Sequence, residues 1–276
     1  MQLLYAHSQL VWLVVALLGG GLVTGFLAGL LGIGGGGILV PVLFEVFGFL
    51  DTPDDIRMQM VLGTSFAVIV PTALRSFLSH RKRGAVDEKA LIRLGPFVVA
   101  GVLAGIGLVS VVSGAFLTWV WVVFGGLLGF KMILGREDWR IADDLPSSRI
   151  MEGIGFVIGL LSTLMSIGGG MFLVSLFTLC GWSIRKSVAT SSGFGPLIAV
   201  PGLLGYIWAG WGNPDLPPYS LGYVSLLGAA LIIPLSVLAA PFGVHVAHSI
   251  SKRKLELAFG IFLLLVSLRL LISVLP

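Results

Sequence analysis

The chain predicts an all-α, polytopic membrane fold, on three observations. Of its 276 residues 57% are hydrophobic and only 11% charged, about half the charged share of an ordinary soluble domain. Several apolar runs, among them Val11 to Leu31 and Leu94 to Val112, reach the roughly 20 residues that cross a bilayer. No run alternates like a barrel strand, so each crossing segment must satisfy its backbone as a helix, or be irregular only where protein covers it.

Charged or Pro/Gly-rich interruptions divide the chain into ten elements, near 11–31, 33–50, 58–78, 91–112, 116–134, 151–166, 168–182, 187–208, 221–247 and 256–275. The first follows ten residues without Lys or Arg and has no small-residue cleavage site after Leu18, so it reads as a retained span and not a signal peptide. A glycine run separates it from the second, which ends at Asp51, Asp54 and Asp55. The third stops at Arg81-Lys82-Arg83, the fourth at Ser113-Gly114, and the fifth at the charged stretch from Arg136 to Arg149. Gly168 to Gly170 divides the sixth from the seventh, Arg185-Lys186 divides the seventh from the eighth, Asn213 to Pro218 ends the eighth, and Lys252 to Lys254 separates the last two. The single cysteine, Cys180, allows no internal disulfide and reads as a small packing residue.

Charge gives an orientation. Of the 17 Lys and Arg, 14 fall in or beside the connections near 79–93, 131–149, 185–186 and 252–254, while the connections near 51–57, 113–118 and 209–220 hold only Arg57 as a base. Positive residues stay cytoplasmic, so the first group faces inward, and the excess of base is a topology signal with no bearing on nucleic acid. Elements one and two then begin and end outside, whereas six and seven begin and end inside. Two hairpins entering from opposite faces predict an inverted repeat, 1–140 and 141–276, within one transport domain.

Sequence similarity points the same way. Leu31-Gly32-Ile33-Gly34-Gly35-Gly36 aligns with Met165-Ser166-Ile167-Gly168-Gly169-Gly170, with Gly25 opposite Gly159 and Val40 opposite Val174. Each triplet is followed by a helix carrying a Thr-Ser pair near its start, Thr64-Ser65 and Thr190-Ser191. Gly32 to Gly37 also satisfies the dinucleotide pattern G-x-G-x-x-G, but that pattern works only between a parallel strand and a helix of a βαβ unit. A bilayer offers no such context, and the second copy keeps only Ile-Gly-Gly-Gly. The triplet is the shared feature.

Three glycines in succession can end one helix, turn the chain and open the next with free N–H groups. Such an N-terminus attracts anions, and two inverted hairpins would aim two of them at the bilayer midplane, as many secondary transporters do. The alternative use is close packing of small residues between helices. The Thr-Ser hydroxyls either contribute to a site or bond their own helix carbonyls. At these residues the chain resembles the TauE/SafE family of sulfite exporters and related sulfonate permeases, from about Val11 to Leu275. The resemblance implies export or permeation of a small sulfur-containing anion such as sulfite, a sulfonate or sulfoacetate.

The expected substrate-binding residues are Gly34, Gly35, Gly36, Thr64, Ser65, Arg75, Gly168, Gly169, Gly170, Thr190 and Ser191. Arg75 is included because it lies on the helix that carries the first Thr-Ser pair. Arg269, Lys131 and Glu45 fall near the ends of spans, and six of the seven tryptophans, Trp121 among them, fall near expected interfaces, where indole anchors. Gly63-Thr64-Ser65-Phe66-Ala67 approaches a nucleophile motif but has no midspan His and no paired aspartates to work with. The expectation is therefore a transporter of the plasma (inner) membrane working by alternating access, with no catalytic residue, metal or cofactor. Its partners are a small anionic substrate and the lipid bilayer, with no nucleic acid and a homodimer left open. An anion channel or membrane scaffold is the alternative, and an intramembrane enzyme stands behind both.

Overall fold

The structure, a computed structural model, describes residues 14, 15, 17–26, 36–135, 142–146, 149–247 and 252–275. They form α1 (Leu17–Phe26), α2 (Gly36–Phe49), α3 (Asp54–Lys82), α4 (Glu88–Val109), α5 (Gly114–Leu134), α6 (Arg149–Met165), α7 (Gly170–Leu179), α8 (Ile184–Ala209), α9 (Leu226–Ala247) and α10 (Lys252–Val274). A small antiparallel hairpin, β1 (Ser220–Leu221) and β2 (Val224–Ser225), pairs Ser220 with Ser225 and Leu221 with Val224. The all-α membrane class holds, with six helices among the described residues long and apolar enough to cross a bilayer.

The local sequence accounts for the helix ends. Asp87, Ser113, Ser183 and Ser225 precede α4, α5, α8 and α9, and each side-chain oxygen accepts from the backbone N–H three residues on, at 3.1, 3.3, 3.4 and 3.2 Å. These are N-cap bonds to otherwise orphaned donors. Helix α3 begins after Pro53 with Asp54 and Asp55 in its first turn and His80, Arg81 and Lys82 in its last, charges that complement its dipole. The guanidinium of Arg253 donates to the carbonyls of Met132, Ile133 and Gly135 and so closes the C-terminal end of α5.

Glycines set the helix crossings by letting backbones touch. On α4 and α6, Leu94, Val98 and Gly105 meet Gly155, Gly159 and Thr163, so the two run parallel; a Cβ on Gly159 would overlap the Val98 carbonyl. Likewise α1 runs parallel to α9: a Cβ on Gly21 would lie 3.0 Å from the Ile232 carbonyl oxygen, and one on Gly25 would overlap that of Ser236. Helices α3 and α8 are antiparallel, with Gly63 against Tyr206, Phe66 against Gly202 and Ala73 against Gly195. Antiparallel too are α5 and α10, which cross at Gly129 and Gly260. The core centres on α3 and α8, with Phe66, Phe194, Tyr206 and, from α5, Trp121 fully buried. Large apolar side chains such as Leu103, Leu127, Phe242 and Leu265 are exposed, as a lipid-facing surface requires.

Two expected elements differ from what is observed. The helix expected over 221–247 starts five residues later, because Gly222, at φ 54°, makes the turn of the β-hairpin first. The helix expected from 58 starts at Asp54, which places Thr64-Ser65 three turns inside it.

Candidate functional site

Helix α6 stops at Met165, and the chain turns through Ser166, Ile167, Gly168 and Gly169 before α7 starts. Gly169 is the N-cap of α7 at φ 72° and Ser166 sits at φ 48°. That region suits glycine and strains most other residues. A helix broken inside a protein leaves carbonyls that need donors, and here those of Ser162, Thr163 and Met165 have them. The backbone N–H groups of Ile167 and Ser166 donate to Ser162 and Thr163 at 3.1 and 3.4 Å. The Trp121 indole donates to the Met165 carbonyl at 2.9 Å, and the Tyr206 hydroxyl to that of Thr163 at 3.1 Å. Trp121 is therefore no interfacial anchor: it is wholly buried and its N–H serves the break.

This break meets the start of α2. A Cβ on Gly36 would overlap the Ser166 carbonyl and come within 2.7 Å of Ile69 Cδ1, and one on Gly168 would lie 3.3 Å from Ile69 Cγ2. Ile69 stands one turn beyond Ser65 on the same face of α3. Gly36, Gly168 and Ser65 thus share one neighbourhood, and Gly169 and Gly170, adjoining Gly168 in the chain, open α7 beside it. Gly34 and Gly35 lie outside the described residues. At 10 residues α7 extends only about 15 Å, half the hydrocarbon thickness, and its C-terminal end meets the connection that precedes α6: the Ala142 N–H donates to the Leu179 carbonyl at 3.4 Å.

Three hydroxyls at this junction are fully buried with no hydrogen-bond partner: Ser65, Ser162 and Ser166. Ser162 Oγ stands 3.8 Å from where a Cβ on Gly169 would be. The sequence reading missed Ser162 and Ser166. The available signal was the alignment, in which Ser166 replaces Gly32, and the four-residue spacing that puts Ser162 on the same helix face. Among the described residues no Asp, Glu, Lys, Arg or His is fully buried, and none form a cluster able to hold a metal ion. The polarity of the junction comes from hydroxyls and the N-terminus of α7.

The remaining expected residues lie in other settings. The Ser225 N–H donates to Thr64 Oγ1 at 2.9 Å, and the Asp87 N–H donates to Thr190 Oγ1 at 3.0 Å. Each threonine thereby fastens the N-cap of a helix from the other half of the chain. Ser191 donates to its own helix at the Val188 carbonyl, 3.0 Å away. Arg75 is exposed on α3, ten residues past Ser65, about 15 Å along the axis. Glu45 and Arg269 form a two-point ion pair, 2.9 and 3.0 Å, between α2 and α10.

On the basic face, Lys186 pairs with Asp87 at 2.8 Å and lies 3.6 Å over the Trp182 ring, whose N–H donates to Asp144 at 2.7 Å. Lys186, with the Ala90 N–H, holds the Asp87 carboxyl below the usual carboxylate range against the opposing effect of burial. The Trp182 hydrogen bond does the same for the exposed Asp144. Arg93 donates to the Pro146 carbonyl. The connections after α3, α5 and α7 are thus joined.

The sequence pattern of the family described as Sulfite exporter TauE/SafE matches residues 17–270. A probable membrane transporter protein of Haemophilus influenzae is 34% identical over 258 residues, 92% of this chain and 96% of that protein. Another from Methanocaldococcus jannaschii is 27% identical over 89% of this chain and 93% of its own length. A third, YunE of Bacillus subtilis, is 25% identical over 91% and 94%. No solved structure matches the chain.

Proposed function

The chain belongs to the sulfite exporter TauE/SafE family of membrane transporters, and from that premise we propose that it moves a small sulfur-containing anion, sulfite or a sulfonate such as sulfoacetate, across the bacterial plasma membrane by alternating access. The observation that carries the reading is the broken α6–α7 hairpin, whose turn meets the first residue of α2 beside three buried, unpartnered hydroxyls. Neutral donors and a helix N-terminus hold an anion without a buried cation, and such a site releases its ligand again.

Two halves of one plan running in opposite senses are part of the proposal. Antiparallel α3 and α8, antiparallel α5 and α10, and the pairing of α1 with α9 as α6 pairs with α4 support it. So do the exchanged Thr64–Ser225 and Thr190–Asp87 bonds. The basic face is then cytoplasmic.

The test is flux through proteoliposomes of purified protein with labelled sulfite, taurine, sulfoacetate, sulfate and chloride. Saturable transport of a sulfur anion with counterflow is expected. Flux that neither saturates nor shows counterflow would make the protein a channel, and no flux of any of these anions would overturn the reading.

A further inference from the structure

We propose that Ser162 and Ser166 are substrate-binding residues, their hydroxyls joining the N-terminus of α7 to hold the oxygen atoms of a small sulfur oxyanion. The inference rests on the transport reading above and deepens it, since neither residue belongs to the glycine or Thr-Ser motifs.

Buried hydroxyls in this bundle divide into those that bond their own helix and those, Ser65, Ser162 and Ser166 at this junction among them, that have no partner. Thr163 donates to the Gly159 carbonyl at 2.9 Å, Thr118 to Gly114 at 2.9 Å, Ser187 to Ser183 at 3.0 Å and Ser192 to Ala189 at 2.6 Å. Ser162, next to Thr163 on the same helix, does not, and neither does Ser166. A buried hydroxyl without a partner is costly, more so at a depth where water is scarce. Ser166 occupies the break where α7 opens its first N–H groups, and Ser162, in the last turn of α6, has its Oγ next to the N-cap Gly169. Two hydroxyls and the first amides of α7 are hydrogen-bond donors, complementary to a compact group with several acceptor oxygens. Because no cation is fully buried among the described residues, recognition depends on donor geometry, which favours a sulfur oxyanion over a spherical halide.

Ser166 also pays a conformational cost. At φ 48° glycine would be more comfortable, and the first hairpin has Gly32 at the aligned position. A residue with only a backbone task there has no reason to be serine. This makes Ser166→Gly a discriminating substitution, since a purely structural role predicts equal or greater stability and unchanged transport. Ser162→Ala has the same property, because it deletes a buried hydroxyl that has no partner to strand.

The experiment measures sulfite uptake kinetics in proteoliposomes and melting temperature in detergent, with and without sulfite, for wild type, S162A and S166G. Both variants should melt no lower than wild type. Each should raise the KM for sulfite about tenfold with Vmax within about twofold, and each should lose most of the sulfite-induced rise in melting temperature. If wild type transports sulfite and both variants keep its KM and its thermal shift, this inference fails while the transport reading stands. A wild type inert to every sulfur anion tried would overturn both.

Discussion

At the scale of the residue, the glycines of the two hairpins divide into those that fit chain to chain and those that do not. Gly36 has the Ser166 carbonyl where a Cβ would go, and Gly169 combines φ 72° with the Ile198 side chain in the same position. Gly36→Ala and Gly169→Val are therefore expected to abolish flux and lower the melting temperature. Gly107→Ala, on an open face of α4 with nothing within 4 Å, should keep flux and gain up to about 1 kcal/mol of stability. Gly125, another glycine of the bundle, is unsuitable as a comparison because Trp121 and Ser267 crowd it at 2.9 and 3.0 Å. Thr64 gives a second prediction. Thr64→Val keeps the shape but strands the Ser225 N–H, so it should cost about 1 to 3 kcal/mol and lower the melting temperature, and Thr64→Ser should restore it. Equal melting temperatures for all three proteins would show that the bond carries no weight. The sequence could place Thr64 and Thr190 on their helices, but their partners lie 161 and 103 residues away, a separation that no local pattern encodes.

At the scale of the element, the connections on the basic face form a clasp of Asp87, Lys186, Trp182 and Asp144. Because the folded Asp87 carboxyl lies below its usual range, its ion pair contributes fully above the ordinary aspartate pKa of about 3.9. That contribution is lost only as pH falls through the lowered folded value. Asp87→Asn keeps an N-cap oxygen and removes only the charge. The variant should therefore melt slightly below wild type between about pH 5 and pH 8, by no more than about 1 kcal/mol for a partly exposed pair. The two curves should converge once pH falls below the lowered folded value; a gap that persists in strong acid would assign the effect to something other than the charge. Charge counting located these connections on one face, and apolar run lengths found all ten elements. The β-hairpin at 220–225 was not legible, because its four paired residues are too few to show a period. Nor was the depth of α7, since an apolar run of 15 residues broken by three glycines suits a short span and a half-helix equally. The junction itself was only half legible: repeated glycines mark it, but that the Ser162 and Ser166 hydroxyls are buried without partners beside the N-terminus of α7 depends on how the helices pack.

At the scale of the whole molecule, the distribution of ionisable groups bears on how transport is driven. Among the described residues no Asp, Glu or His is fully buried. Glu45 is partly exposed and occupied by Arg269 at 2.9 Å. A transport cycle that carries a proton needs a group to bind it along the path, so the expected movement is an anion alone, driven by its gradient and the membrane potential. The energetics suffice. An inside-negative potential expels each negative charge with about 2.3 kcal/mol per 100 mV, hence about 4.6 kcal/mol for a divalent anion. At about 1.4 kcal/mol per decade that sustains roughly a thousandfold gradient. Sulfite flux in proteoliposomes should therefore follow an imposed K⁺ diffusion potential and continue when an ionophore collapses the proton gradient. Uphill accumulation driven by a proton gradient at zero potential, with the protonation of sulfite itself held constant, would sink this expectation. In that event Glu45→Gln is the next measurement: a proton path through the Glu45–Arg269 pair would lose its coupling in that variant, whereas a purely structural pair would lose stability and keep it.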